Sequence, residues 1–471
     1  MEKATLLKMS DSAGLGSIDF LPGMTAGSGP SNRPEFEPFS VLVQCANQYL
    51  RNNPHLTVNT CESVEFKVSS KDGFRVDTVN SVYTAHGESE TRYIRGLRLW
   101  TQVKSGHGNN CDQIGYCNFL PSIQGDNVER LDRLLFKINQ QFERNPLPGQ
   151  IVTVETQPIK WGSTGLDPDR TIWTERGNSS SRFVNLIRIF YLQGPPQPCK
   201  LGVQDFLPAV LDSGFRWGAY PQVEAFPVVM DRARQWLLSV PPNYRVINVQ
   251  TVTFRWSQND GADTQKMTYH EDKAHLNYMR YLRIPYVIEN PDHQVARSTI
   301  RLNAKLIAPN MTSAPGILLG SGQFESQEST RARLDQWVKS TGARVVSAET
   351  IVMRPDGGGE GRYGFDNMHT WNQIHRVNNV SQRSDEKFVF LYRIYTDGAY
   401  EDPAGWQNST RLEEHARQSG CRGMKKVFLL FGLGVLAMFI LIGIVSLYGW
   451  ITRGPEDNKD ALPPTNTTQT P

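Results

Sequence analysis

An arginine recurs in one eight-residue pattern at four places in this chain of 471 residues. The pattern has an aromatic residue, an aliphatic residue, three variable positions, the arginine, and then Leu or Ile. Its copies contain Arg98, Arg188, Arg283 and Arg393. A guanidinium stays charged at neutral pH and can hold a carboxylate through two parallel hydrogen bonds. One interpretation of the four arginines is therefore a clamp for an anionic ligand, which requires them to converge on a concave site.

A second pattern precedes each arginine and offers it a partner within the chain. It begins with Glu or Gln, continues with Ser or Thr, and ends with a large apolar residue and a basic one. Strand parity places these groups among apolar neighbours, where charges persist only when they are paired and hydrogen-bonded. The favoured interpretation is a structural bond inside each unit, joining Glu62 to Arg98, Glu155 to Arg188, Gln250 to Arg283 and Glu349 to Arg393.

Two independent motifs in the same order, four times, indicate a tandem repeat. Each copy has an aromatic residue near the end of a segment with helical spacing, namely Tyr49, Phe142, Trp236 and Trp337. Three copies begin with Phe-Leu-Pro, at Phe20, Phe119 and Phe206, whereas Gly316 to Leu319 stands in that place in the fourth. We predict an α+β fold of four helix-strand-strand repeats of about 95 residues, each packing one helix on an antiparallel strand pair.

The chain is predicted to divide at composition changes and breakers. The boundaries are 1–16 for a disordered amino terminus, 17–104, 115–193, 203–290 and 316–397 for the repeats, 400–424 for a polar tether, 427–451 for a transmembrane helix and 452–471 for a short tail. The element order resembles strand-helix-strand-strand modules that pair into pseudo-twofold ligand-binding domains. This resemblance implies that the repeats dock in twos.

Long connections separate the two strands of each repeat. They concentrate Gly, Asp, Asn and Ser, and they fall at equivalent places in all four copies. Repeat proteins usually keep their binding specificity in such loops. We expect protein partners to bind there.

One segment predicts a membrane span. Residues 427–451 contain no charged residue over 25 positions, which at about 1.5 Å per residue exceeds the thickness of a hydrocarbon core of about 30 Å. More basic residues precede this segment than follow it, which favours a cytosolic head and a lumenal or extracellular carboxyl terminus. The amino terminus has no apolar core typical of a signal peptide, in agreement with a single-pass, tail-anchored protein.

Two residues near the span are candidates for modification. Cys421 lies six residues before it, where S-palmitoylation occurs, and an unmodified thiol is an equal alternative. Asn466 lies in a glycosylation triplet on the lumenal side of the predicted topology. The head contains an odd number of cysteines that do not follow the repeat, which favours reduced thiols.

Motifs for chemistry are missing from the sequence. His270 and His275 lie one residue too far apart to bind zinc from one helical face, and the Gly357–Gly361 run lacks the Lys of a phosphate loop. We expect no catalytic residue, no metal site and no cofactor. The formal net charge of +3 and the scattered basic residues give little support to nucleic-acid binding.

These patterns predict a non-enzymatic, membrane-tethered binding or scaffold protein with a cytosolic four-repeat head. Two alternatives stay open. One is the lumenal or extracellular ectodomain of a single-pass receptor, which would carry sugars and disulfides in the head. The other is a carrier that binds a small ligand between paired repeats, in an enclosed pocket lined by aromatics such as Trp236 and Trp337.

Overall fold

The computed structural model describes most of the chain up to Trp406. The described ranges are 14–26, 34–69, 74–85, 91–104, 111–162, 165–175, 181–212, 222–256, 262–271, 276–289, 300–313, 323–353, 371–374 and 386–406. The chain divides into two compact units, 1–416 and 417–471, and every described residue lies in the first. No helix of the described ranges is long and apolar enough to cross a membrane. The predicted span 427–451 lies outside those ranges.

The first unit is mostly β, with four helices and a ring of four sheets arranged like propeller blades, in agreement with four repeats. The helices are α1 (Phe39–Asn52), α2 (Leu131–Arg144), α3 (Phe226–Ser239) and α4 (Gln327–Thr341). Each predicted helical aromatic lies in one of them. In α1 the buried residues are Phe39, Leu42, Val43, Ala46 and Leu50, the spacing of a helix with one apolar face.

Each sheet is built on a long central strand. The central strands are Thr91–Val103, Ser181–Gln193, Leu276–Glu289 and Glu386–Asp397. An inner strand pairs antiparallel along one side of each, namely Leu56–Ser69, Gly149–Trp161, Gln250–Trp256 and Val345–Met353. An edge strand pairs antiparallel along half of the other side, namely Gly16–Phe20, Ile114–Phe119, Cys199–Phe206 and Leu302–Ile307.

A fourth strand in each sheet comes from the next repeat. These exchanged strands pair beside the edge strand, on the half of the central strand that it leaves open. Ile172–Glu175 of repeat 2 joins repeat 1, Thr268–Glu271 of repeat 3 joins repeat 2, Trp371–Ile374 of repeat 4 joins repeat 3, and Val82–Ala85 of repeat 1 joins repeat 4. The exchange closes a ring, so the repeats do not dock in twos as the resemblance implied.

Short strands complete the repeat. A two-stranded ribbon precedes each helix, namely Met24–Ala26 with Glu35–Phe36, Ile123–Gln124 with Asn127–Val128, Val210–Asp212 with Gln222–Val223, and Met311–Ser313 with Gln323–Phe324. Arg75–Val76 adds to the inner strand of repeat 1, and Tyr244–Val246 precedes that of repeat 3.

The hydrophobic core under each helix is shared with the next repeat. Residues from the following repeat complete each core: Ile114 and Phe190 under α1, Leu201 and Val287 under α2, Leu302 and Tyr395 under α3, and Leu15 and Trp100 under α4. The last of these joins the two ends of the ring. No repeat completes its core alone. Since apolar burial dominates folding, each repeat depends on its neighbour for stability.

The folded region is longer than predicted at both ends. Leu15 is buried, although the range 1–16 was predicted to be disordered. Residues 400–406, predicted as the start of the polar tether, pack on repeat 4, where Trp337 Nε1 donates to Asp402 Oδ1 at 2.8 Å. The remainder of the predicted tether lies outside the described ranges.

Repeat 4 begins earlier than the predicted boundary at residue 316. Its edge strand is Leu302–Ile307, and Ile307-Ala308-Pro309 stands where the other repeats have Phe-Leu-Pro. The sequence comparison missed this copy because it lacks the aromatic residue.

Candidate functional site

The four predicted pairs face each other across neighbouring strands. Glu62 is opposite Arg98, Glu155 opposite Arg188, Gln250 opposite Arg283 and Glu349 opposite Arg393. Seven of these eight residues are buried, and Gln250 is half-buried. The repeated motifs thus lie on the inner and central strands of every sheet.

The hydrogen bonds of these side chains run mainly to the neighbouring repeat. Glu62 Oε2 accepts from the backbone N–H of Thr350 in repeat 4 at 2.9 Å, and Arg98 Nη1 donates to Thr350 Oγ1 at 2.6 Å. Among the ion pairs of the described residues, one lies within a predicted pair, with Arg393 Nη1 3.5 Å from Glu349 Oε1. The side chains therefore join repeats to each other as well as the strands of one repeat.

The same contact recurs around the ring. Each Ser or Thr that follows the Glu or Gln gives its backbone N–H to the acid or amide of the next repeat: Ser63 to Glu155 at 2.6 Å, Thr156 to Gln250 at 2.8 Å, and Thr251 to Glu349 at 2.6 Å. Each hydroxyl also accepts from the next repeat's arginine: Ser63 from Arg188 at 2.8 Å, Thr156 from Arg283 at 2.7 Å, and Thr251 from Arg393 at 2.8 Å. The contacts of Thr350 with Glu62 and Arg98 close the cycle. We call its members the axial ring: the four predicted pairs together with Ser63, Thr156, Thr251 and Thr350.

A second layer of contacts lies two residues earlier on the inner strands. Its acceptors are Thr60, Thr153, Asn248 and Ser347. They accept, in that order, from the backbone N–H of Ala348 at 3.3 Å, Cys61 at 2.9 Å, Val154 at 2.9 Å and Val249 at 3.1 Å. The four inner strands are thus joined to one another by side chains that bond backbone groups, because no ladder among the described strands pairs one inner strand with the next.

A β-bulge lies just before these acceptors in three repeats. The register shifts between Val58 and Thr60, between Ile151 and Thr153, and between Val345 and Ser347. Bulges bend a strand and re-aim its side chains. In repeat 3 the inner strand is interrupted at the same place, between Val246 and Gln250.

The edge strand supplies a further partner of the arginine that the sequence reasoning missed. Arg98 Nε and Nη2 grip Asp19 at 2.6 and 2.8 Å, and Arg283 grips Asp205 at 2.8 Å through the same two atoms. Arg188 Nε donates to Asn118 at 2.8 Å. The sequence contains a signal for these partners, because Asp19, Asn118 and Asp205 each stand directly before a Phe-Leu-Pro. In repeat 4 the position is Leu306.

Burial and charge shift the proton affinities of the axial ring. Burial raises the pKa of Glu62 to about 7, against the pull of Arg98, and it also raises the pKa of Glu155. Burial acts in the same direction on Asp19, but Arg98 and Arg331 outweigh it and hold the pKa of Asp19 well below its usual range. Burial and the nearby Arg95 lower the pKa of Arg188 to about 10.

The four arginines do not converge on one ligand site. Each contacts a different neighbouring repeat, so the arrangement differs from a shared anion clamp. Trp236 and Trp337 pack in the cores under their helices, and neither lines the cavities beside Glu62 and Arg393. The axial ring can hold four repeats together through the arginine Nη1 atoms, the Ser and Thr groups, and the acid or amide side chains.

The remaining candidate positions lie only partly within the described residues. In the described part of the chain, no three His, Cys, Asp or Glu side chains are close enough to hold a metal ion. The head cysteines Cys45, Cys61, Cys111, Cys117 and Cys199 are free thiols. Cys421 and Asn466 lie outside the described residues.

Comparisons with protein-family models, curated proteins and solved structures returned no match.

Proposed function

We propose that this protein is a non-enzymatic scaffold, held at a membrane by the helix 427–451, with its four-repeat head in the cytosol. The observation that carries the proposal is the run of 25 uncharged residues after a folded head. A helix of this length satisfies its own backbone hydrogen bonds in lipid. The tail beyond it would be lumenal or extracellular.

The ring favours binding over catalysis. The acid, amide and hydroxyl groups of the axial ring are engaged with each other and with its arginines, which leaves them unsuited to acid-base or nucleophilic work on a substrate. Each long connection contributes an exchanged strand, and these four strands occupy equivalent places around the ring. We propose that protein partners bind there.

Membrane insertion is tested first. Full-length protein should stay with membranes after carbonate extraction, and Leu436→Arg with Ile440→Arg should release it into the soluble fraction. Each Arg costs about 2.5 to 3.5 kcal/mol at the centre of a span. Leu436→Ala with Ile440→Ala is the matched control and should stay in the membrane. Soluble wild-type protein would contradict the anchor.

Topology is tested separately in sealed microsomes. Protease added outside should digest the head. A glycan should appear at Asn466 and not at Asn178 or Asn310, which stand in Asn-x-Ser/Thr triplets of the head. The free thiols of the head agree with a reducing compartment. A protected head with sugars at Asn178 or Asn310 would favour the ectodomain of a single-pass receptor instead.

A further inference from the structure

One of the four arginine sites lacks the polar edge-strand side chain that its counterparts bind, which is an aspartate in repeats 1 and 3 and Asn118 in repeat 2. In repeats 1 and 3, the arginine uses Nε and Nη2 to hold an aspartate of its edge strand. The corresponding residue opposite Arg393 is Leu306. Among the described residues, hydrogen bonds to Arg393 involve Nη1 alone, through Thr251 at 2.8 Å. The Nε and Nη2 edge therefore has the geometry of a carboxylate site without the carboxylate.

The charge of this site is only partly compensated. Arg393 is 4 % exposed, and its guanidinium lies 3.9 Å from the Phe226 ring centre. The carboxylate of Glu349 lies 3.5 Å from Nη1, but it already accepts from Thr251 and from the Tyr395 hydroxyl. Desolvation of a buried guanidinium costs roughly several kcal/mol when the group is left unpaired. Such a group therefore needs a full set of acceptors.

A second buried arginine adds to the excess of positive charge. Arg280 is 8 % exposed, and its described hydrogen bond is a long one of 3.4 Å to the Val352 carbonyl. Its counterpart Arg95 binds Glu65 at 2.8 Å, whereas Thr253 stands opposite Arg280. Burial and the neighbouring Arg393 lower the pKa of Arg280 to about 10. Among the described residues that are buried where repeats 3 and 4 meet, Arg280 and Arg393 are two guanidinium groups against the one carboxylate of Glu349.

A cavity lies against these groups. Its volume is about 160 Å³, and its walls include Arg393 and Leu306 of repeat 4 and Phe226, Met230 and Arg234 of α3. A smaller cavity of about 10 Å³ touches both Arg280 and Arg393. A cavity of about 150 Å³ in another protein admits benzene. The amino-terminal end of a helix also favours negative charge.

We propose that the interface between repeats 3 and 4 binds a small organic monocarboxylate, whose carboxylate takes the place of the missing aspartate on Arg393. Phe226, Met230 and Leu306 would contact its apolar body, so a short branched or aromatic acid fits the site. This inference does not depend on the membrane anchor or on the topology.

The test uses the full-length chain in a neutral detergent, with isobutyrate and benzoate as probes. We expect both acids to bind by calorimetry and to raise the Tm, whereas isobutyramide should not. Sodium chloride and inorganic phosphate at matched ionic strength should have a smaller effect. Equal responses to chloride, phosphate and isobutyrate, or no response at all, would overturn the proposal. The comparison with isobutyramide and the comparison with the salts both use the wild-type protein.

Leu306→Asp supplies the missing carboxylate from the chain itself. We expect this variant to bind isobutyrate at least tenfold more weakly and to have a higher Tm than wild type without ligand. Leu306→Asn is the neutral control of similar shape, and it should lose less than threefold in affinity. Equal losses in both variants, or a Leu306→Asp protein that binds as wild type does, would overturn the assignment of Arg393 as the carboxylate site.

Discussion

Repeats 1 and 3 make the same axial contact with different side chains. Glu62 accepts from the backbone N–H of Thr350 and from Trp100 Nε1 at 3.1 Å. Gln250 accepts from the N–H of Thr156 and also donates Nε2 to the Thr156 carbonyl at 3.2 Å. A neutral amide therefore fits where a carboxylate stands elsewhere. The geometry of the axial ring does not require charge, whereas the carboxylate adds a dependence on pH.

The aspartates of these two repeats differ as well. Asp19 is held by Arg98 and also by Arg331 of α4, at 2.6 Å. In the part of the chain that the structure describes, Asp205 has a salt bridge to Arg283 alone. Repeat 1, which closes the ring against repeat 4, therefore has a redundant cation that repeat 3 does not have.

Removal of the arginine should give the largest difference between the two repeats. Arg283→Met leaves Asp205 buried without a cation, and breaking such a pair costs about 3 to 5 kcal/mol. Arg98→Met leaves Arg331 on Asp19, so we expect a loss of about half as much. Urea unfolding of the full-length chain would measure both. Equal losses would contradict the role of Arg331, and the double variant Arg98→Met, Arg331→Met should restore the full loss.

A change of pH should affect repeat 1 and leave the amide of repeat 3 unaffected. Burial raises the pKa of Glu62 from 4.5 to about 7, so the folded protein binds this proton more tightly than the unfolded chain. The Glu62 contribution to stability is therefore full below pH 4.5 and falls as the pH rises to about 7. Its size is at most about 3 kcal/mol.

Glu62→Gln should remove this part of the pH dependence by making repeat 1 resemble repeat 3. The measurement is the free energy of unfolding of wild type and variant from pH 4.5 to pH 8, about the range of the titration. Glu35→Gln, at an exposed carboxylate, is the control and should leave the wild-type slope intact. A Glu62→Gln slope equal to that of wild type would show that Glu62 does not titrate in this range.

Loss of one axial hydroxyl should have the smallest effect. Thr156→Val and Thr350→Val keep the side-chain shape and the backbone N–H but remove the acceptor for Arg283 or Arg98. We expect each to lower stability by about 1 to 1.5 kcal/mol. The exposed Thr312→Val is the control. A thermal melt of each variant that matches the control would argue against the arginine–hydroxyl contact.

Strand pairing could be predicted from the sequence better than the contacts between repeats. Matching motifs placed Glu62 and Arg98 on two strands of one repeat, and their register makes them direct neighbours. Periodicity could not show that the side chains of Glu62 and Arg98 also bond Thr350. Thr350 is 252 residues from Arg98 in the sequence, so no local pattern connects them. Such contacts depend on closure of the ring.

The exchanged strands and the fourth edge strand were also beyond the sequence. Val82–Ala85 and its counterparts have four residues each, too few to distinguish a strand from a loop by alternation. Leu302–Ile307 lacks the aromatic residue that marked the other copies. The proposed site at Arg393 depends on the neighbouring position, where Leu306 stands in place of the aspartate of repeats 1 and 3.

The cyclic exchange of strands sets an order on synthesis. The central strand of repeat 4 needs Val82–Ala85, which leaves the ribosome first and must wait for Glu386–Val389. Until then Val82–Ala85 has backbone groups without their strand partner, and these groups invite pairing with another nascent chain. A chaperone that covers Val82–Ala85 during translation would suppress that misassembly.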